Sequence, residues 1–188
     1  MEQQQPSLVD KCLIATPSIR DPIFASSLVY MCEHNENGSM GLVVNQETAQ
    51  VLGDIFEQLD IKCNDSDINH QPVYIGGPVQ LEQGFILHTQ AGPWQNSVEI
   101  AKGIHLTSSV DILQAIADKR GPTEYLVMLG FSGWASGQLE SELQQNAWLT
   151  SSCDADLLFH QKPEDKWQIA FDSLGFDINM LSPVSGNA

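Results

Sequence analysis

Residues 124–143 read EYLVMLGFSGWASGQLESEL. The run EYLVMLGF (124–131) is apolar without alternation, the pattern of a strand covered on both faces. It is expected to be the central strand of a sheet. QLESELQQN (138–146) reads as a helix, with Leu139 and Leu143 one turn apart. The joint between them holds Gly130, Gly133 and Gly137, Ser132 and Ser136, and Trp134. A hydrolase elbow reads G-x-S-x-G between a strand and a helix. Here the second glycine comes one residue early and Trp134 takes its place, which a strained, tightly packed serine tolerates poorly. A phosphate cradle is the second option, because helix N-termini collect anions. No lysine or arginine lies between Arg120 and Lys162, however, and no Gly-Lys-Ser/Thr follows. The third option is a tight strand-to-helix turn with Ser136 as the helix cap.

Upstream, KCLIAT (11–16) is a short strand, and PSIRDP (17–22) breaks it. SSLVYMCEH (26–34) and SMGLVVNQ (39–46) flank Asn37-Gly38 and predict an antiparallel hairpin. TAQVLGDIFEQLD (48–60) has helical spacing, with Thr48 as its candidate cap and KCNDSDINHQ (62–71) as a loop after it. PVYIGGPV (72–79) and QGFILHTQ (83–90) are strands. SVEIAKGIHLTSS (97–109) makes two more, joined near Gly103. A helix from Ser108 to Arg120 starts S-x-x-D, a capping-box pattern, with Lys119 and Arg120 at its negative end. Downstream come a strand, AWLTSS (147–152), a helical turn from Asp154 to Phe159, and a helix opened by Pro163 and ended by Gly175. Seven to nine strands and four or five helices, with a hairpin first and alternation later, make an α+β (mixed α/β) domain. The whole chain, 1–188, is expected to be one domain, with residues 1–6 and 182–188 as flexible tails.

The chain carries 24 acids against 8 Lys plus Arg, a net charge of −16. That charge repels a phosphate backbone, so direct nucleic-acid binding is not expected. No apolar run is long enough to span a membrane. The stretch MEQQQPSLVDKC has no basic start followed by an apolar run, so the expectation is a cytosolic protein without a secretory signal. The cysteines, Cys12, Cys32, Cys63 and Cys153, have no metal spacing and are expected to be free thiols. Cys63, in a polar stretch, and Cys32 are the candidates for a thiol redox sensor. The histidines show no ligand spacing, although His34 and His88 both end strands and could converge. No metal or cofactor is called for. Arg20 is the best cation to face an anionic ligand.

Three blocks carry a family resemblance: LIATPSIRDPIFASSLVYMCEHNENGSMGLVVNQ (13–46), YIGGPV (74–79) and LGFSGWASGQLESEL (129–143). The chain resembles the AlgH/YqgE family, the UPF0301 group, and GW-x-x-GQLE-x-E is the most specific block. The resemblance implies a bent, mainly antiparallel sheet forming a partial barrel. It implies a bacterial protein acting indirectly on transcription, and it supplies no catalytic residue and no cofactor. Its motifs mark Arg20, Asp21, His34, Gly41, Asn45, Gly76, Gly77, Pro78, Gly130, Gly133, Trp134, Gly137, Gln138 and Glu140.

Two functional expectations follow. One is a binding or regulatory protein acting through a protein partner or small ligand. The other is an enzyme or anion binder at the Gly130–Gly137 turn, facing the Gly76–Pro78 loop. Its site would use Arg20, Asn45, Gly76, Gly77, Pro78, Ser132, Gly133, Trp134 and Gly137.

Overall fold

The computed structural model describes residues 6–175; apart from Pro6, the expected tails lie outside them. Strands are β1 (Lys11–Ala15), β2 (Leu28–Asn35), β3 (Gly38–Val43), β4 (Glu47–Val51), β5 (Pro72–Ile75), β6 (Val79–His88), β7 (Ser97–Ala101), β8 (Ile104–Thr107), β9 (Tyr125–Ala135) and β10 (Trp148–Ser152). Helices are α1 (Leu52–Gln58), α2 (Ser66–Asn69), α3 (Val110–Ala117), α4 (Gln138–Gln144) and α5 (Pro163–Asp172), with a π-helical turn at Asp156–His160. The strands form one curled sheet, a half-barrel, in the order β10-β1-β2-β3-β9-β6-β8-β7, with β4 and β5 branching from β9.

β9 is the hub, as its composition predicts. Along one edge it pairs first with β5, in parallel at Val127–Leu129, and then with β3, antiparallel at Ser132–Ala135. Its other edge takes β6. The missing alternation has a direct cause. Leu126 and Met128 enter the core under α5 and the π turn, while Val127 enters the core under α1 and α3. Both faces are dry, so both sets must be apolar. Full burial of each such side chain stabilises the fold by about 1.5–3 kcal/mol. A third core, built from Leu13, Val29, Val43, Trp134, Leu139 and Trp148, lies beneath α4.

Several expectations need correction. β9 does not stop at Phe131 but runs on to Ala135, so Ser132, Gly133 and Trp134 are strand residues and the turn is Ser136-Gly137. The segment 48–60 is not all helix: β-branched Thr48 and Val51 lie in β4, paired with β5, and the Thr48 hydroxyl donates to the Val73 carbonyl at 2.9 Å. α1 starts only at Leu52, where the Asp54 carboxylate accepts the Val51 N–H at 2.8 Å. The loop 62–71 contains α2, capped by Asp65. The Ser108 capping box does not form: Asp111 is spent on the Gln95 N–H and the Ser109 hydroxyl. Lys119 and Arg120 lie beyond α3 and pair with Asp65 and Asp118. The strand placed at 83–90 begins earlier, at Val79, and ends at His88. The predicted hairpin is β2–β3, but its loop is Glu36-Asn37, with Gly38 already in the ladder opposite Asn35. The free-thiol expectation fails for two cysteines. Cys12 and Cys153 form a disulfide with Cα atoms 5.5 Å apart, because the β1–β10 pairing brings together residues 141 apart in sequence.

Candidate functional site

The block GW-x-x-GQLE-x-E folds into a hydrogen-bonded clamp between β9 and α4. Gly137 adopts φ 75°, the left-handed conformation that turns the chain from strand into helix. Gln138 accepts the Ala135 N–H at 3.0 Å through its side-chain oxygen, and its amide donates to Glu142 at 3.0 Å. Ser136 does not cap the helix; its hydroxyl donates to the Glu36 carbonyl across the neighbouring hairpin. Leu139 is fully buried. Glu140 accepts from His34 Nε2 at 2.8 Å, while His34 Nδ1 accepts the Leu8 N–H at 3.1 Å. Burial works to raise the Glu140 carboxyl, but the backbone N–H and His34 outweigh it and hold the group below its ordinary range. Glu142 Oε2 accepts both indole N–H groups, Trp134 at 2.9 Å and Trp148 at 2.8 Å.

Over this clamp lies a cleft of about 260 Å³, lined chiefly by Phe24, Pro78, Gly133, Trp134, Glu142 and Trp148. Its floor is aromatic. Trp134 and Trp148 meet edge to face at 6.0 Å, and Phe24 meets Trp148 the same way at 5.7 Å. Gly133 borders the cleft with its exposed backbone; a Cβ there would turn toward Val79 and the Phe131 ring, 3.3 Å away, which are not part of the lining.

The structure thus gathers three of the expected site residues, Pro78, Gly133 and Trp134. It disposes of the others differently. Gly76 and Gly77 do meet the β9 glycine segment, but backbone to backbone. A Cβ on Gly76 would lie 2.3 Å from the Gly130 oxygen, and one on Gly77 2.2 Å from the Phe131 carbonyl carbon. No ligand fits between them. The Ser132 hydroxyl is buried and donates to the Gly76 carbonyl at 3.0 Å, a structural bond and not a nucleophile paired with a base. Asn45 lies in a different cleft and is committed to the backbone, accepting the Leu28 N–H at 2.8 Å and donating to the Ser26 carbonyl at 2.9 Å. Arg20 is exposed, next to the cleft-lining Ile19, and makes no ion pair among the described residues. Sequence reasoning missed Phe24, Glu142 and Trp148 as members of the site. Glu142 stands in the quoted motif, but its two tryptophan partners lie eight residues before and six after it, a spacing with no signature.

His34 and His88 do not converge. His88 is buried, shares a 2.8 Å contact with the Thr107 hydroxyl and faces the Thr89 and Gln90 carbonyls; burial pushes its imidazole pKa down. Among the described residues no three His, Cys, Asp or Glu side chains gather as metal ligands. No described helix is long and apolar enough to cross a membrane.

Comparison with known proteins covers the same span. The DUF179, AlgH-like, family model matches residues 12–179. A UPF0301 protein of Cupriavidus pinatubonensis is 44% identical over 182 residues, 97% of this chain and 96% of that one. One from Dechloromonas aromatica is 45% identical over 182 residues, 97% and 98% of the two chains. The solution structure of the AlgH protein from Pseudomonas aeruginosa is similar, with a TM-score of 0.80 and 39% identity over 100% of both chains. A crystal structure from Corynebacterium diphtheriae shares the fold, at TM-score 0.72 and 20% identity over 97% and 94% of the two chains. The chain belongs to the AlgH-like (UPF0301) family.

Proposed function

We propose that this is a binding protein of the cytoplasm whose working surface is the tryptophan cleft, and that it acts by docking an apolar side chain of a partner protein. The carrying observation is the cleft itself, an open aromatic concavity whose floor is pre-organised by the Glu142 clamp. An apolar anchor in such a pocket is how a few residues carry most of an interface's binding energy. The single charged side chain in the lining is Glu142, and the chain's net charge is −16, so the fitting partner carries basic residues beside its anchor. The same lining argues against the anion-binding alternative. Ser132, buried and bonded to a carbonyl, gives an enzyme reading no nucleophile. Any effect on transcription would run through the partner; tight specific duplex binding by the pure protein in a gel shift at physiological salt would refute that.

The indole N–H resonances of Trp134 and Trp148 are built-in reporters. Apolar amines and short basic peptides bearing Leu or Trp should shift these two signals and leave Trp94 and Trp167 unmoved. Phe24→Ala, which removes a half-buried aromatic ring from the lining, should weaken the shifts at least tenfold in probe concentration while preserving the spectrum elsewhere. If no such probe moves the two signals selectively, the cleft is not a docking site.

A further inference from the structure

We propose that Cys12 and Cys153 form a redox modification site, a dithiol–disulfide pair that controls how firmly the sheet holds its edge strand β10. The geometry carries this. Among the described residues β10 has one strand neighbour, β1, in a ladder running from Lys11↔Ser152 to Ala15↔Trp148. The sulfur link closes one end of that ladder, just beyond Ser152. At the other end stand the Thr16 N–H bond to the Ala147 carbonyl at 3.0 Å and the Thr16 hydroxyl bond to the Asn146 carbonyl at 2.8 Å. The 5.5 Å Cα separation lies within the range a disulfide spans. Cys12 is fully buried, whereas Cys153 is half-buried at the rim of the main core, so Cys153 is the less covered partner and its mate is held in place. Exchange begins at the sulfur that an incoming thiolate can reach. The remaining thiols stand apart from this pair. Cys32 is buried, its thiol pushed up by that burial, and its Sγ donates to the Tyr30 carbonyl; Cys63, half-buried like Cys153, packs against a different core and donates to the Asp65 carbonyl.

In the oxidising direction the Cys153 thiolate attacks a hydroperoxide. This forms the S–O bond of a sulfenic acid and releases water or an alcohol. The Cys12 thiol then displaces water from that sulfur and forms the S–S bond, a two-electron oxidation overall. A small dithiol reverses it by exchange, leaving two thiols and an oxidised dithiol. Because β10 carries Trp148, the state of the pair also sets the rigidity of the cleft wall. That last consequence rests on the docking reading; the modification site does not.

The full-length protein, treated with hydrogen peroxide or with dithiothreitol, is denatured and alkylated with N-ethylmaleimide. Intact mass should show two added groups after oxidation and four after reduction, reversibly, and peptide mapping should place the link at Cys12–Cys153. Hydrogen exchange of β10 amides should quicken at least tenfold on reduction, while β9 amides stay protected. The variant Cys153→Ser should exchange like the reduced protein under both treatments. Cys12→Ala supplies a second check should that serine perturb folding. Four alkylated thiols after peroxide, a link to Cys32 or Cys63, or β10 exchange indifferent to reduction would each overturn the proposal. Loss of Trp148 indole response to probes, with the β10 switch intact, would instead count against the docking reading alone.

Discussion

Glu142 shows how one side chain can settle a local structure. Its carboxylate takes the N–H of two nearly buried indoles. Glu142→Ala should therefore cost about 2–4 kcal/mol in urea unfolding, since each orphaned buried donor costs about 1–3 kcal/mol. Glu142→Gln, which keeps an acceptor oxygen, should cost less than half of that. Lys166 makes a second, titratable case. It is 1% exposed, and its ammonium donates to the Leu158 carbonyl at 2.7 Å and the Val44 carbonyl at 3.0 Å with no ion pair to a carboxylate among the described residues. Burial lowers its pKa to about 8, opposed in part by Glu47. The folded pKa lies below the unfolded one, so between pH 8 and about 10.4 the unfolded chain holds a proton that the folded chain has released. Stability therefore rises with pH across that window. Measured as the difference between the wild type and Lys166→Met, which cancels the other titrations, the rise should reach about 2–3 kcal/mol by pH 10. A flat difference would mean that Lys166 keeps its ordinary pKa. Neither role can be read from the primary structure, where Glu142 is one acid among 24 and Lys166 looks like a surface residue of an amphipathic helix.

The strands and helices themselves were legible to different degrees. β9 declared itself through an apolar run with no alternation, and the β7–β8 hairpin through Gly103. The β4–α1 boundary did not, because Val51, Leu52 and Ile55 satisfy helical spacing while β4 is fixed by pairing with a strand about 25 residues later. The end of β9 is hidden for a related reason: Gly130 has the chemistry of a turn residue but marks the place where the Gly77 and Val79 carbonyls press close. Gly77 and Gly133 separate these meanings. Gly77→Ala should cost more than about 3 kcal/mol, because its φ of 155° and a Cβ 2.2 Å from the Phe131 carbonyl carbon leave no place for a side chain. Gly133→Ala, whose Cβ would come no closer than 3.3 Å to the Phe131 ring, should stay within about 1 kcal/mol. Thermal or urea denaturation of the pair distinguishes a glycine that backbone contact requires from one that only meets a side chain.

Taken whole, the molecule is an acidic half-barrel whose net charge of −16 is spread over few countercharges. Self-repulsion of this kind is screened by salt, so raising NaCl from about 10 to 300 mM should raise the Tm by a few degrees. A Tm that falls or stays level would place the acids in compensating networks. The fold class, the central strand, the hairpin between β2 and β3 and the family blocks were available from the chain alone. The first three rest on local periodicity, turn chemistry and composition, which act over a handful of neighbours; the blocks rest on resemblance to a family. The cleft was not available, nor the Glu142 clamp, nor the Cys12–Cys153 link. Each joins residues from separate elements, up to 141 positions apart, and their proximity follows only from the order in which strands add to β9 and β1. Strand order is decided by which apolar faces can be buried together across the whole chain, and no window of sequence contains that choice.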